Sequence, residues 1–314
     1  MGSAISHGLH SRRNFLAALG AGAVAALLQA SGANSAQTRV ELTRRLPAGG
    51  EALPLIGLGS WITFNVGNDQ QGRDNVTEVL RTFFQLGGRM IDSSPMYGSS
   101  EEVIGHSLAQ LGMPEALFAA TKVWTPWASA GARQLETSRK LWGVERFDLL
   151  QVHNLLAWED HLETLFAMKR EGKVRYVGIT TSHGRRHEEL ESIMRQHPVD
   201  FVQATYNAAD RAVEQRILPL AAEKKIAFIA NRPFQGGSLI NRLTHRPLPA
   251  WAAGIECANW AQILLKFIVS HPAVTCAIPA TRRIDHLREN MDAMHGVLPD
   301  VAMRVRIAKE IIRL

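Results

Sequence analysis

Cysteine is scarce in this chain. Its 314 residues include two cysteines, Cys257 and Cys276, which are not closely spaced. That number excludes a cysteine-based zinc site and a scaffold held together by many disulfides. We expect both to be lone buried thiols, and the alternative is a single bridge between them.

Long runs of like charge are also missing. The formal net charge is +6, and the longest basic clusters are pairs such as Arg185-Arg186. Scattered charges of this kind are typical of a solvated surface, so we expect no nucleic-acid partner. Hydrophobic residues make up 46% of the chain and charged residues 20%, which is the composition of an ordinary globular protein.

The amino-terminal apolar run is too short for a stable membrane span. Residues 15–28 are apolar, follow the pair Arg12-Arg13 and precede small residues at 31–36, whereas a span needs roughly 20 apolar residues. This order resembles a twin-arginine (Tat) export signal. It predicts that residues 1–36 engage the Tat export machinery, direct the chain to the bacterial periplasm and are removed. The alternatives are an uncleaved anchor and a simple extension.

The rest of the chain, residues 37–314, has no linker rich in proline, glycine or serine and is expected to form one domain. Apolar runs alternate with amphipathic stretches, a pattern typical of a parallel sheet covered by helices. The eight repeats predict an α/β fold of the (β/α)₈ TIM-barrel type. An open dinucleotide-binding sheet is disfavoured, because residues 57–59 lack the third glycine of its fingerprint. The predicted strands are residues 55–61, 90–94, 117–124, 149–153, 174–180, 201–206, 226–230 and 275–279.

Four polar side chains stand at the ends of the second, third and fourth predicted strands. Asp92 and Tyr97 belong to the end of the second strand, Lys122 to the third and His153 to the fourth. Barrel enzymes place their working residues at this carboxyl end. Each residue alone has a structural interpretation, but together they predict a catalytic rim.

These residues resemble the catalytic tetrad of the aldo-keto reductase family, in which Asp and Tyr follow strand 2, Lys follows strand 3 and His follows strand 4. The resemblance extends over nearly all of residues 37–314. It implies an NAD(P)H-dependent oxidoreductase that reduces an aldehyde or ketone to an alcohol by hydride transfer. Besides the tetrad, the matching segments are residues 57–61, 92–101, 172–178, 203, 206–207, 278–281 and 289–290.

The tetrad suits the chemistry of carbonyl reduction, which needs a hydride on carbon and a proton on oxygen. Tyr97 is the expected general acid, and the Lys122 ammonium is expected to lower its pKa from about 10 toward working pH. Asp92 is expected to keep Lys122 charged in a partly dry pocket. His153 is expected to hydrogen-bond the substrate oxygen.

The resemblance also implies contacts to the nicotinamide end of the cofactor. Thr180, Thr181 and Gln203 are expected around the carboxamide. Asn231 and Arg232 are also expected to contact the cofactor, at the positions where the family has a tyrosine that stacks on the nicotinamide ring and then a serine. The family's stacking platform is therefore absent from this sequence.

Residues after the eighth strand are expected to bind the adenosine end. Thr281 and Arg282, with Arg283 as a further candidate, are expected at the 2′-phosphate of NADPH, because guanidinium groups make paired contacts with phosphate oxygens. The resemblance places Glu289 and Asn290 at the adenine. NADPH is therefore the expected cofactor, and NADH is the alternative.

The remaining expectations concern substrate, metal and turnover. Trp61 and Trp124 are candidates for lining the pocket of a small carbonyl substrate, with core packing as the alternative. His183 and His187 are four residues apart, but no third ligand accompanies them, so no metal site is expected. Because the stacking tyrosine is missing, the alternative function is a nucleotide-binding regulatory module of the same fold with little turnover.

Overall fold

A computed structural model describes residues 1–2 and 41–313. The predicted export signal falls on residues 1–36, so all but its first two residues lie outside the described residues. Residues 41–313 belong to a single compact unit. Within the described part of the chain, no helix combines the length and the apolar character that a membrane span requires.

Eight parallel strands form the central sheet, and they run in chain order from β3 to β10. An antiparallel hairpin of β1 and β2 precedes them. Each predicted strand region overlaps one strand of this sheet, so the predicted (β/α)₈ TIM barrel is confirmed. The strands are β1 (Thr43–Arg45), β2 (Ala52–Pro54), β3 (Leu58–Gly59), β4 (Met90–Asp92), β5 (Phe118–Val123), β6 (Phe147–Val152), β7 (Val174–Thr180), β8 (Phe201–Thr205), β9 (Ala227–Asn231) and β10 (Val274–Ala277).

The barrel closes where the first and last strands of the sheet meet. Isolated bridges from Ile56 to Ala277 and from Gly59 to Ala280 join these two edges. A Cβ atom on Gly59 would lie 2.9 Å from the backbone oxygen of Ile278. The seam therefore requires glycine at this position, because any side chain would push the two edges apart.

Helices follow the strands and cover the outside of the barrel. Three of them begin at side-chain caps. Asp69 accepts a hydrogen bond from the Gly72 N–H, Asn259 from the Gln262 N–H and Asp300 from the Met303 N–H. The α-helices of the described residues are α1 (Gln70–Gln85), α2 (Ser100–Gln110), α3 (Ala128–Trp142), α4 (Trp158–Arg170), α5 (His187–Gln196), α6 (Ile217–Lys224), α7 (Ser238–Leu243), α8 (Trp260–Val269), α9 (Ile284–Asp292) and α10 (Val301–Arg313). Short 3₁₀ helices occupy His153–Leu155, Ala212–Glu214, Gln235–Gly237 and Ala250–Ile255.

The hairpin β1–β2 packs against the side chains that fill the barrel. Leu46 and Leu53 join the buried interior cluster, which includes Phe118 and Phe201. Arg44 donates hydrogen bonds from the hairpin to backbone carbonyls of 271, 272 and 274 just before and within β10. The hairpin therefore connects the beginning of the barrel domain to β10 near its carboxyl-terminal end.

Both cysteines are buried free thiols, as the sequence predicted. Cys276 lies on β10, whereas Cys257 lies in the loop before α8. Burial raises the pKa of Cys257 to about 11 and that of Cys276 to about 12. Neither thiol is therefore a reactive thiolate at neutral pH.

Candidate active site

The four tetrad residues come together at the carboxyl end of the barrel. Asp92 ends β4, Lys122 lies on β5, and His153 begins the 3₁₀ helix after β6. Tyr97 follows in the loop between β4 and α2, where its ring lies edge-on to His153 with centroids 5.7 Å apart. The parallel register of β4, β5 and β6 brings these side chains to one rim.

Asp92 and Lys122 form an ion pair inside this rim. Lys122 Nζ donates to Asp92 Oδ2 at 2.5 Å and to the Ser93 carbonyl oxygen at 2.8 Å. Asp92 Oδ1 accepts hydrogen bonds from the side-chain amides of Gln151 and Gln203. Burial lowers the pKa of Lys122, but the Asp92 carboxylate reverses this and leaves the pKa raised. The ammonium therefore stays charged at neutral pH.

The phenol of Tyr97 does not have the acidity that the sequence predicted. Lys122 Nζ lies 5.5 Å from the centre of its ring and acts to lower the phenol pKa. Burial acts in the opposite direction and is stronger, so the pKa of Tyr97 is raised above its usual value. The prediction overlooked the cost of forming a phenolate in a partly dry site. At neutral pH the phenol therefore keeps its proton, as a proton donor must.

His153 is a neutral imidazole. Burial, assisted by the positive charge of Lys122, lowers the pKa of His153 to about 3. Ser94 Oγ lies 2.9 Å from His153 Nδ1 and accepts a hydrogen bond from the Met96 backbone N–H. Among the described residues, Nδ1 is the acceptor within reach of the Ser94 hydroxyl proton, so both groups are satisfied when Ser94 donates to Nδ1. The imidazole proton then resides on Nε2, which is left to act as a donor.

Ser94 is thus the residue that selects the His153 tautomer. We expect Ser94→Ala to lower kcat about tenfold, because the imidazole is then free to present an acceptor to the substrate oxygen. Nitrogen NMR of His153 is expected to show two tautomers in the variant and one in the parent protein. In a His153→Gln background, the same substitution is expected to cause no further loss.

Ser93→Ala is the matched control for this experiment. Ser93 is as fully buried as Ser94, but its hydroxyl pairs with Ser60 Oγ at 2.8 Å rather than with the imidazole. We expect the control variant to keep one His153 tautomer. If Ser94→Ala left both the tautomer and kcat unchanged, the assignment would be wrong.

A cavity of about 830 Å³ opens over the tetrad. Its lining includes Trp61, as predicted, but not Trp124. β5 ends at Val123, and the backbone of Trp124 then bonds in both directions with the side-chain amide of Gln134. These bonds draw the loop toward α3. Predicted site residues that line the cavity are Asp92, Tyr97, His153, Thr180, Thr181, Gln203, Asn231, Arg232, Thr281, Glu289 and Asn290.

Three of these residues form what we call the amide shelf: Thr181, Gln203 and Asn231. Asn231 Nδ2 donates to the Thr181 carbonyl oxygen at 2.9 Å and contacts Gln203 Oε1 at 3.4 Å. Asn231 Oδ1 accepts from the Thr205 hydroxyl, so its amide plane is held from both sides. The Thr180 hydroxyl accepts a bond from the Asn154 N–H just beside the shelf.

The shelf keeps an unused polar atom. Thr181 Oγ1 is buried and has no hydrogen-bond partner among the described residues, and Thr181 lines the cavity. A buried hydroxyl without a partner is costly unless a ligand supplies one. The shelf therefore fits a neutral ligand group that both donates and accepts hydrogen bonds, such as a carboxamide.

Comparison with known proteins agrees with this geometry. The sequence model of the Aldo/keto reductase family matches residues 55–305. The chain belongs to this family. The chain is therefore an oxidoreductase that reduces carbonyl compounds with a nicotinamide nucleotide, and that prediction is confirmed. The comparisons give no support to the alternative of a regulatory module with little turnover.

Several members of the aldo/keto reductase family are similar over most of the chain. Methylglyoxal reductase YeaE of Escherichia coli is 28% identical over 77% of this chain and 86% of its own length. An NADH-specific methylglyoxal reductase of Escherichia coli is 24% identical over 72% of this chain and 78% of its own length. An aldo/keto reductase of Klebsiella pneumoniae, solved with NADP and acetate, superposes with a TM-score of 0.72 at 25% identity, covering 86% of this chain and 95% of its own.

The far end of this aldo/keto reductase's cavity departs from the predicted phosphate site. Thr281 lines the cavity, but Arg282 is exposed and does not. Arg283 pairs with Asp285 on the surface. His286 lines the cavity near Glu289 and Asn290. The chain turns into α9 at this point, and that turn directs both arginines outward.

Two supporting residues of the site were missed in the sequence. Gln151 is fully buried on β6 and bonds to Asp92, and Ser94 is fully buried after β4 and bonds to His153. The available signal was a polar residue within an apolar strand, as in LQV at 150–152. Among the described residues, no group of three or more potential ligands is arranged to hold a metal ion.

Proposed function

We propose that this aldo/keto reductase reduces small aldehydes, in particular 2-oxoaldehydes such as methylglyoxal, with NADPH. The observation that carries this proposal is the buried Lys122–Asp92 ion pair beside a protonated Tyr97 that lines the cavity. Support for the substrate class comes from two relatives that are named methylglyoxal reductases.

The proposed mechanism gives each tetrad residue one task. When bound, the nicotinamide nucleotide supplies a hydride to the carbonyl carbon. Tyr97 gives its phenolic proton to the carbonyl oxygen, and Lys122 stabilises the phenolate that is left until solvent returns a proton. Asp92 keeps that ammonium in place. His153 directs the oxygen through its Nε2–H and, being neutral, does not compete as an acid.

Fewer contacts support the preference for NADPH than support the catalytic roles of the tetrad. Thr281 and His286 line this end of the cavity, and Arg282 is exposed next to Thr281 outside the lining. A 2′-phosphate bound here would meet hydrogen-bonding groups of the lining, with Arg282 as the neighbouring cation. We expect a lower Kd for NADPH than for NADH, measured by fluorescence titration of purified residues 37–314. The preference is expected to shrink in Arg282→Ala.

The proposed activity is tested by the loss of NADPH absorbance when methylglyoxal is added to the purified protein. Turnover in the parent and none in Tyr97→Phe would support the proposal. Tight binding of NADPH without oxidation by methylglyoxal or any other reactive aldehyde would favour the nucleotide-binding module instead.

We also propose that the leader exports the protein to the periplasm. The support is the order of Arg12-Arg13, an apolar run and small residues in the sequence. The test is cell fractionation of the full chain in a bacterium with a twin-arginine pathway. Replacing both Arg12 and Arg13 by lysine is expected to keep the protein in the cytoplasm at full length, and export of that variant would refute the proposal.

A further inference from the structure

Arg232 is a cation in the cavity that the proposed mechanism does not use. It follows β9 directly and lines the cavity. Among residues 41–313, no carboxylate forms an ion pair with it, whereas the partly buried Arg175 and Arg304 pair with Asp148 and Glu214. Asp210 is near enough to raise the pKa of the Arg232 guanidinium but does not form an ion pair with it. Burial has the larger effect and lowers that pKa. A partly buried cation without a counter-ion calls for an anionic ligand.

The backbone turns this side chain away from the amide shelf. Arg232 adopts the left-handed conformation with φ of +51°, which is unfavourable for a non-glycine residue. Its neighbour Asn231 points into the shelf, while the Arg232 guanidinium lies over the Trp61 ring, 5.9 Å from its centroid. The cation is thus held over Trp61 rather than over the shelf.

Trp61 follows β3 and stands at the end of the barrel that carries the tetrad. Trp61 follows Ser60, whose hydroxyl bonds to the Asp92 carbonyl oxygen and to Ser93 Oγ. Trp61 itself lines the cavity and is 41% exposed. A ligand held against Trp61 therefore lies beside the strand end that carries the proton donor and its partners.

A second positive charge, Arg185, lies near this part of the cavity. Burial and then the charges of Arg232 and Arg185 lower the pKa of His183, which also lines the cavity. The shelf, in contrast, presents neutral amide and hydroxyl groups. The cavity lining thus has two distinct polar regions: the neutral amide shelf and a cationic region around Arg232.

We propose that Arg232 forms an anion subsite in the cavity, beside Trp61, and selects carbonyl substrates that carry a carboxylate or a similar anionic group. The guanidinium binds the anion through paired hydrogen bonds while the aldehyde carbon reaches the tetrad. This inference rests on the proposed carbonyl reduction and adds a substrate class to it. The reaction is unchanged: a hydride goes to the aldehyde carbon, and a proton from Tyr97 goes to its oxygen.

The test compares substrates of matched size with and without a carboxylate. The pairs are glyoxylate with methylglyoxal, and succinate semialdehyde with butanal, each at saturating NADPH. We expect the parent to favour the anionic member of at least one pair about tenfold in kcat/KM. The advantage is expected to fall as salt is raised, because the subsite is partly exposed.

Variants of Arg232 identify the group responsible. Arg232→Met is expected to remove the anionic preference, and Arg232→Lys is expected to restore part of it. Arg242→Met is the matched control, since Arg242 is exposed on α7 and does not line the cavity.

Three outcomes separate the possibilities. Equal kcat/KM for both members of each pair overturns the inference and leaves the proposed function intact. A large rise in the Kd for NADPH in Arg232→Met, with the anionic preference retained, also overturns it, because the guanidinium then serves the cofactor's phosphates. Absence of turnover with all four aldehydes in the parent refutes the proposed function itself.

Discussion

Replacing Tyr97 by phenylalanine is expected to lower kcat for aldehyde reduction by about a thousandfold, the usual contribution of a positioned general acid. The change removes the phenolic O–H and keeps the ring that lies against His153. We therefore expect the Kd for NADPH to remain within about twofold. Stopped-flow oxidation of bound NADPH measures the first quantity, and fluorescence titration measures the second.

Tyr176→Phe provides the same chemical change away from the rim. Tyr176 lies on β7 and packs against Phe118 and Phe201 in the barrel interior, and it does not line the cavity. Its variant should keep parental turnover. A Tyr97→Phe protein that retained kcat within about tenfold of the parent would exclude this phenol as the proton donor.

The second large effect concerns the buried ion pair. Lys122→Met leaves the Asp92 carboxylate without its cation, and breaking a buried pair in this way costs about 3–5 kcal/mol of the free energy of unfolding. We expect kcat to fall at least a hundredfold as well, because the phenolate of Tyr97 then forms without a neighbouring positive charge. Denaturant unfolding and steady-state assays measure the two losses.

A double substitution separates the structural role of the pair from its chemical role. In Asp92→Asn with Lys122→Met, no unpaired charge remains, and an asparagine oxygen can still accept from Gln151 and Gln203. We expect most of the lost stability to return while kcat stays low. If turnover returned together with stability, the ammonium would have no catalytic task.

The sequence was sufficient to predict the barrel and the meeting of the tetrad. Apolar runs alternating with amphipathic ones leave few folds available, and in a parallel barrel the ends of neighbouring strands must meet on one rim. Asp92, Lys122 and His153 were therefore predicted at one end of the barrel without knowledge of any contact, and the structure places them there.

What the sequence did not reveal depends on where side chains point and what surrounds them. The balance between burial and Lys122 that sets the pKa of Tyr97 requires the degree of desolvation, which no motif contains. Trp124 stands immediately after β5, and Arg282 lies in the loop between β10 and α9. The period-two alternation of a strand does not determine side-chain direction at either place. Nothing in the sequence around Ser94 distinguishes it from an ordinary loop serine, because its 2.9 Å contact with His153 depends on the folded structure.

The seam between β3 and β10 has a consequence for biosynthesis. Its bridges join Ile56 to Ala277 and Gly59 to Ala280, so a nascent chain still missing its last strand has two open sheet edges. Such edges invite pairing with other chains. The barrel can close only when nearly the whole polypeptide has left the ribosome, and a translocation system that accepts finished proteins would suit such a late-closing chain.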